Sequence, residues 1–495
     1  MSIILDSDRE GRVPAGVPAN RDRLFLASCV ALIVTSMTFA IRAGILPNLA
    51  VDFGLTDAQL GWVNSMAFYG FPVAMLVGGA IYNNVGPKVL LWLAFGAHMA
   101  GLILTMTAGG FYGLLISTFF IGFANGSVEA ACNPLIADMY PDKQTEMLNK
   151  FHVWFPGGQV IGSLIAFALS DLVSWQILIA TMLVPTIIYG VMIIGQKFPK
   201  AQNISGDTAD NFKGVFTPLF LFIAICMTMT ATTEFGATQW VERIMGNAGA
   251  NAMILLALTA GLMATGRYFA GPLVHKFNPV GVLVFSATFA ALGLFLLSTS
   301  TGAMVYVATA VFALGICYFW PTMLGFTAEY IPRSGALGLS LIGGAGMLGA
   351  GIWNPIIGGW IDSNRDTALS NHPVVMEQVD AFVANNPEAL EGLEDPDKRT
   401  VQYTAYKGML SEQIADIEDS GAGEDAVVEA RTQLEPINEI ELFAGQGTLA
   451  RLMFFPIILI ALFLGLYFYM RNRLKVPADE VVLNEKAMST PGSAR

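Results

Sequence analysis

Twelve long apolar stretches run through this 495-residue chain, and they limit its fold more than any other feature. A helix needs about 20 apolar residues to cross the ~30 Å hydrocarbon core of a bilayer. Only 13% of the residues are charged, against about 25% in soluble domains, and the mean hydropathy is +0.58. The sequence therefore predicts an all-α membrane protein with twelve transmembrane helices, at about 24–48, 58–82, 88–108, 112–139, 151–170, 174–196, 214–241, 250–273, 279–299, 303–328, 336–361 and 449–470.

Lysine and arginine are distributed unevenly between the two sets of loops. The loops on the side of both termini carry most of the basic residues, whereas Arg243 is an exception on the opposite side. This asymmetry follows the positive-inside rule and predicts that both termini are cytoplasmic. Residues 1–20 are polar and lack the apolar core of a cleavable signal. We therefore expect a multi-pass protein of the plasma (inner) membrane.

The chain reads as a duplication. Gly79–Pro87, after span 2, has the same pattern of glycine, polar pair and proline turn as Gly271–Pro279, after span 8 and 192 residues later. Two pseudo-symmetric six-helix bundles are therefore predicted, with a substrate site between them near the bilayer midplane. The predicted divisions are a cytoplasmic tail 1–23, an N-terminal half 24–196, a cytoplasmic linker 197–213, spans 7–11 at 214–361, an acidic extracytoplasmic insert 362–447, span 12 at 448–471 and a cytoplasmic tail 472–495.

The insert 362–447 carries much of the acidity of the chain. It holds 19 of the 38 acidic residues but only five of the 26 basic ones, so the membrane-spanning part is close to neutral. Stretches 401–418 and 424–434 are predicted to be helical, with breaks at Pro387, Pro396 and the 421–423 glycine run. The insert is interpreted either as a solvated acidic cap or as a lid or partner-docking element.

The glycine turn after span 2, its repeat after span 8 and the central linker resemble the major facilitator superfamily. Asn83-Asn84 replaces the Asp-Arg pair usual in that turn. Within the superfamily, the chain resembles the fucose/glucose–galactose permeases, a group of sugar–proton symporters. The resemblance rests on Glu129 before Asn133-Pro134, Tyr140-Pro141, Asn149–His152, Glu234 before Trp240, and Trp320-Pro321-Thr322. Arg42 departs from that group and is similar to the span 1 arginine of organic-anion and phosphate-ester carriers.

Four ionisable residues lie inside predicted spans, namely Arg42, Glu129, Glu234 and Arg267. Such residues usually face an aqueous path, because a charge in contact with lipid is costly. Glu129 has no acidic counterpart in the second half, and it is predicted to bind the coupling proton. The alternative is a static Glu129–Arg42 salt bridge that only joins spans 1 and 4.

Polar side chains on the spans predicted to line the cavity are the candidates for substrate binding. The prediction is proton-coupled sugar symport, with a sugar held by carboxylate and amide groups and stacked on an indole. Alternatives are a carrier of a small organic anion or phosphate ester that uses Arg42, or a drug–proton antiporter. We expect a monomer in the lipid bilayer that is not an enzyme and uses a proton gradient with no cofactor, metal or nucleic acid. The predicted substrate-binding residues are Arg42, Asn125, Asn133, Gln159, Glu234, Gln239 and Trp240, with Asn64 as a weaker candidate, and the gating residues are Arg267 and His152.

Overall fold

The computed structural model describes residues 20–140, 144–199, 213–420 and 424–471. Within these ranges, eleven helices are long and apolar enough to cross a membrane, and a twelfth apolar helix of 17 residues lies where span 8 is predicted. The predicted tails and most of the central linker lie outside the described residues. The all-α prediction is confirmed. Spans 1–12 are Arg21–Phe53, Asp57–Tyr82, Asn84–Met106, Phe111–Met139, Lys150–Leu169, Trp175–Ile193, Pro218–Thr238, Ala252–Tyr268, Asn278–Leu297, Met304–Tyr330, Leu337–Ser370 and Glu435–Met470.

A short turn, residues 54–56, joins spans 1 and 2. Span 1 ends at Gly54, whose φ of 60° is a backbone conformation that glycine adopts without strain. Span 2 begins with a capping box, in which the Gln59 backbone N–H donates to the Thr56 hydroxyl and the Thr56 N–H donates to the Gln59 side chain. The turn therefore fixes the position of Asp57, the first residue of span 2.

The two predicted glycine-proline turns share one backbone conformation. Gly86 has φ 75° and ψ 167°, and Asn278, 192 residues later, has φ 54° and ψ 163°. Each is followed by a proline. Positive φ suits glycine, and asparagine accepts it more readily than most side chains. The repeated turn supports the pseudo-symmetry that the sequence predicts.

Spans 2 and 11 cross closely and join the two halves. A Cβ atom on Gly61 would lie 2.4 Å from Pro355 Cα, and one on Gly358 would lie 2.0 Å from the Asp57 carbonyl oxygen. Both crossings therefore depend on the absence of a side chain. They lie toward the end of the bundle that carries the insert, here called the insert side.

The insert is a packed helical cap. Span 11 continues through Ser370, nine residues beyond its predicted end at 361, and span 12 begins at Glu435 instead of 449. The predicted helical stretches appear as Arg399–Asp419 and Glu424–Thr432, and a further helix, Pro373–Asn385, was not predicted. An apolar core holds these elements together; it includes Val379, Phe382, Tyr403, Leu410 and Ile440.

Candidate functional site

Three aromatic rings meet between the two halves at the centre of the bundle. Phe39 and Phe68 come from the N-terminal half, and Phe235 comes from span 7. Their ring centroids are 5.2–5.8 Å apart, and each ring is at most 2% exposed. We call these three residues the aromatic layer. Arg42 lies on the insert side of this layer, and Glu129 lies on the side of the termini.

Arg42 lies next to the aromatic layer, one helical turn from Phe39. Its Nε donates to Asn64 Oδ1 at 2.8 Å, and its Nη2 donates to Gln239 Oε1 at 2.7 Å, across the two halves. The guanidinium carbon is 5.0 Å from the centroid of the Phe39 ring, a cation–π distance. The side chain is therefore held firmly by neutral groups, and the residue is only 5% exposed.

The hydrogen bonds of Arg42 go to neutral amides, and no ion pair joins it to a carboxylate among the described residues. In addition, Arg42 Nη1 and Asn64 Nδ2 are both buried without a hydrogen-bond acceptor. A buried, unpaired charge is costly, and buried donors normally have partners. Arg42 thus keeps a positive charge and one free N–H donor in a buried place, and its partner Asn64 keeps another free donor.

Glu234 lies on the other side of the interface, one residue before Phe235. It is 5% exposed, and Arg267 interacts with it electrostatically. Arg267 itself is half-buried, and its Nε donates to the Cys317 carbonyl oxygen at 3.0 Å. Arg42 and Glu234 are 192 residues apart and so occupy equivalent positions in the two halves, but they have different neighbours. The gating role of Arg267 stays a prediction, and the structure ties this residue to span 10.

Glu129 belongs to a second polar group, with Asn133 and His152. Asn133 Nδ2 donates to Glu129 Oε2 at 2.7 Å, and its Oδ1 lies 3.0 Å from His152 Nε2. His152 Nε2 is also 3.9 Å from Glu129 Oε2. The His152 side chain is 42% exposed and that of Glu129 is 9% exposed. The static Glu129–Arg42 salt bridge is not present.

Asn125 has different partners from Glu129 and Asn133, which follow it at four and eight residues on the same span. Its Oδ1 lies 2.9 Å from His98 Nε2, and its Nδ2 donates to Thr38 Oγ1 at 2.9 Å. His98 in turn lies 3.0 Å from the Tyr189 hydroxyl. Asn125, His98 and Tyr189 are fully buried. These bonds tie spans 1, 3, 4 and 6 together, so the structure places Asn125 in the packing of the N-terminal half.

Two further predicted binding residues are also buried. Trp240 is 0% exposed, and its indole Nε1 donates to Asn354 Oδ1 at 3.0 Å. The indole is therefore closed to a sugar in this conformation. Gln159 is 5% exposed and follows Gly158, where a Cβ would lie 2.1 Å from the Ser36 hydroxyl oxygen. Gln159 is thus next to the tight contact of spans 1 and 5.

The sequence analysis missed a cluster of buried charges at the insert side, centred on Asp57. Arg243 and Arg365 both pair with this carboxylate, at 2.6 and 2.7 Å. One signal was available, because Arg243 is the exception to the positive-inside pattern. The charges of this cluster are paired with one another.

Comparison with known proteins identifies the family. The family model described as Major Facilitator Superfamily matches residues 28–354. The cis,cis-muconate transport protein of Acinetobacter baylyi is 24% identical over 68% of this chain and 86% of its own length. The gentisate transporter of Corynebacterium glutamicum is 23% identical over 69% of this chain and 82% of its own. Other relatives in the same range of similarity are named as sugar and multidrug transporters.

Among solved structures, a bacterial homologue of the human lysosomal transporter Spinster, inward-facing and occupied, matches with a TM-score of 0.66. The two chains are 16% identical, and the match covers 91% of this chain and 97% of the other, so it shows a common fold. These findings agree with the twelve apolar helices, the repeated turn and the polar groups between the halves. The chain belongs to the major facilitator superfamily and is a membrane transporter, not an enzyme.

Proposed function

We propose that this protein carries small organic carboxylates across the membrane, and that Arg42 binds the carboxylate group. This was the alternative prediction from the sequence, and it now has more support than sugar transport. The family is a family of transporters, so the proposal concerns the solute and the residues that bind it.

One observation carries the proposal: among the described residues Arg42 is a buried cation without a counter-ion, and its Nη1 and the Nδ2 of its partner Asn64 are buried donors without an acceptor. A carboxylate would accept a hydrogen bond from Arg42 Nη1 and neutralise the charge, whereas a sugar hydroxyl would leave the charge uncompensated. A hydrogen bond to a charged group contributes about 1.5–3 kcal/mol, so this contact would be a large part of the affinity of a small solute.

The aromatic layer supports a planar or unsaturated body for the solute. Phe39 and Phe68 lie against the guanidinium of Arg42, and Phe235 closes the space from the other half. Flat apolar rings favour stacking with another flat group. Two of the relatives are named for muconate and gentisate. We therefore expect an aromatic or unsaturated carboxylate.

The surroundings of Arg42 are closed to an organic solute in this conformation. The cavity beside Arg42 measures about 20 Å³ and is otherwise lined mostly by apolar side chains of the N-terminal half. That volume holds one water molecule and excludes an organic solute. A solute therefore reaches Arg42 only when the halves separate, either at the aromatic layer or at the insert side.

Glu129 remains the proposed proton site. It is hydrogen-bonded to Asn133 and reaches the exposed His152 on the side of the termini. A proton on Glu129 would balance the negative charge that a carboxylate brings to Arg42. We further propose that the termini are cytoplasmic, because the basic residues of the loops lie on their side.

The test is a ligand panel on the purified protein. Muconate, gentisate and 4-hydroxybenzoate are compared with the carboxamide of 4-hydroxybenzoate and with neutral monosaccharides. Binding raises the melting temperature, by the equivalent of about 2.7 kcal/mol at 100 times Kd. At least one carboxylate should stabilise the protein and accumulate in proteoliposomes, and its amide should do neither. Stabilisation and accumulation of a sugar, with indifference to all carboxylates, would contradict the proposal.

A further inference from the structure

Six charged side chains form a buried cluster at the insert side. Asp57, which is 0% exposed, accepts from Arg243 Nε at 2.6 Å and from Arg243 Nη2 at 2.9 Å. The same carboxylate lies 2.7 Å from Arg365 Nη1. Arg365 Nη2 in turn donates to Glu441 Oε2 at 3.1 Å, and Lys407 lies 3.3 Å from Glu441 Oε1. With Asp362, three acids balance three bases. We call these six residues the charge cluster.

The charge cluster joins the two halves unequally. Asp57 is its single member from the N-terminal half, whereas the others come from span 11, span 12, the short helix Val241–Met245 and the insert. Asp362 also accepts hydrogen bonds from the backbone N–H groups of Asp57 and Ala58, at 3.1 and 2.9 Å. The C-terminal half therefore caps the first turn of span 2. Separation of the halves here must pull Asp57 out of the cluster.

The insert holds the same junction from outside. Besides Lys407, it contributes Thr400, whose hydroxyl accepts a hydrogen bond from Arg365 at 3.2 Å. The Glu394 backbone N–H donates to the Phe53 carbonyl oxygen at 3.4 Å, at the end of span 1. Leu393 covers Gly54, where an added Cβ would lie 2.5 Å from the Leu393 Cβ.

The insert helix Arg399–Asp419 contacts span 1 directly. A Cβ on Gly408 would lie 3.1 Å from Val51 Cγ1. The insert is covalently continuous with spans 11 and 12, yet it rests on spans 1 and 2. It therefore bridges the line along which the halves of a carrier must part to open this side.

We propose that the insert is a latch that holds the insert side closed, with Asp57 as the residue that must be released for opening. The inference depends on the transporter family and not on the identity of the solute. In the closed state each charge of the cluster has a partner. Removal of Asp57 leaves Arg243 and Arg365 buried with an excess of positive charge, which is strongly unfavourable until water enters.

Water has a route to the cluster. A cavity of about 140 Å³ lies beside it, lined by Pro47, Glu242, Arg243, Gly246, Asn247, Lys407 and Glu441. Because this cavity borders both span 1 and the insert helix, opening can begin there with hydration of Lys407 and Glu441. Lys407 is the most exposed of the bases, with 28% of its side chain accessible. Lys407 is thus the member of the latch that opens first.

The first test measures how often the insert side opens. Met253 packs on Gly44 across the two halves and is 3% exposed, so a cysteine at this position reports opening. Its labelling by a membrane-impermeant maleimide is followed in the variant Met253→Cys. We expect Asp57→Asn to speed labelling at least tenfold and Lys407→Met at least threefold. The matched control Asp366→Asn, an exposed carboxylate next to Arg365, should leave the rate unchanged. Equal rates in all variants would overturn the latch.

The second test leaves all six residues of the charge cluster unchanged, so it can be done even if Asp57→Asn fails to fold. The spacing of Val51 and Gly408 suits a disulfide, because a sulfur takes the place of a γ carbon. In the triple variant Val51→Cys, Gly408→Cys, Met253→Cys, oxidation should reduce labelling of the peptide that contains position 253 at least tenfold. Reduction should restore it. The oxidised double variants Val51→Cys, Met253→Cys and Gly408→Cys, Met253→Cys serve as controls.

Failure of the disulfide to form would contradict the closed contact between span 1 and the insert. Its formation without any loss of labelling would show that the insert side opens while the insert stays on span 1, and the latch would be wrong. Neither readout uses a solute. A failure of the carboxylate proposal would leave both results unchanged, so the two proposals are tested separately.

Discussion

Arg42 and Arg365 are both buried arginines, but they should respond in opposite ways to replacement by methionine. Arg42 is 5% exposed and bonds to the neutral Asn64 and Gln239, whereas Arg365 is 1% exposed and pairs with Asp57, Asp362 and Glu441. Methionine is apolar, unbranched and able to fill an irregular space. The comparison therefore separates a binding residue from a structural one.

The magnitudes follow from the partners. Arg42→Met removes two hydrogen bonds from a charged donor, about 1.5–3 kcal/mol each, and leaves two amide acceptors unpaired. It also removes the several kcal/mol by which an unpaired buried ion destabilises a protein, so the net change is near zero or stabilising. Arg365→Met leaves buried carboxylates without their partner and should cost about 3–5 kcal/mol.

Thermal unfolding of the ligand-free proteins in detergent measures the difference. Arg42→Met should melt at or above the temperature of the wild type, and Arg365→Met several degrees below it. Arg42→Met should also lose the stabilisation by carboxylates. If Arg42→Met were destabilised as much as Arg365→Met, Arg42 would be a structural residue with satisfied partners, and the reasoning from its free donors would be refuted.

Three other variants test separate parts of the structure. Glu129→Gln should abolish accumulation driven by a proton gradient and spare counterflow exchange; survival of accumulation would reject the proton assignment. Gly126→Ala should be strongly destabilising, because its Cβ would lie 2.1 Å from the Phe71 carbonyl oxygen, whereas Gly79→Ala, with open space around it, should melt like the wild type. Burial raises the pKa of Glu242, outside the spans, to about 7, and nearby Lys407 only partly offsets this. The neutral form is thus favoured on folding, and stability should fall as pH rises from about 4.5 through 7; the melting temperature of Glu242→Gln should lack that part of the decline.

The positions of the spans could be predicted from sequence, because apolar length and turn chemistry are local properties. The proline turns after Gly86 and Asn278 and the insert helices at 401–418 and 424–434 were found in this way. The end of span 11 and the start of span 12 were not predicted correctly. Both helices continue beyond the apolar region as polar helices, which the packing of the insert stabilises.

The partners of the polar residues could not be read from spacing alone. Asn125, Glu129 and Asn133 are four residues apart, and each such step rotates the side chain by about 40° around an α-helix. Between Asn125 and Asn133 the rotation reaches about 80°, so one faces His98 inside the half and the other faces His152. Likewise, Asn64 and Gln239 reach Arg42 from two other spans, and sequence does not give the rotation of those spans.

The length of span 11 has a mechanical consequence. Its 34 residues form one helix of about 51 Å, of which ~30 Å crosses the hydrocarbon. Its last nine residues, 362–370, extend about 14 Å into the insert as a rigid continuation of the span, so any tilt of the C-terminal half also moves the cap. An antibody fragment that binds the cap and the end of span 1 together would therefore inhibit transport from outside the bilayer.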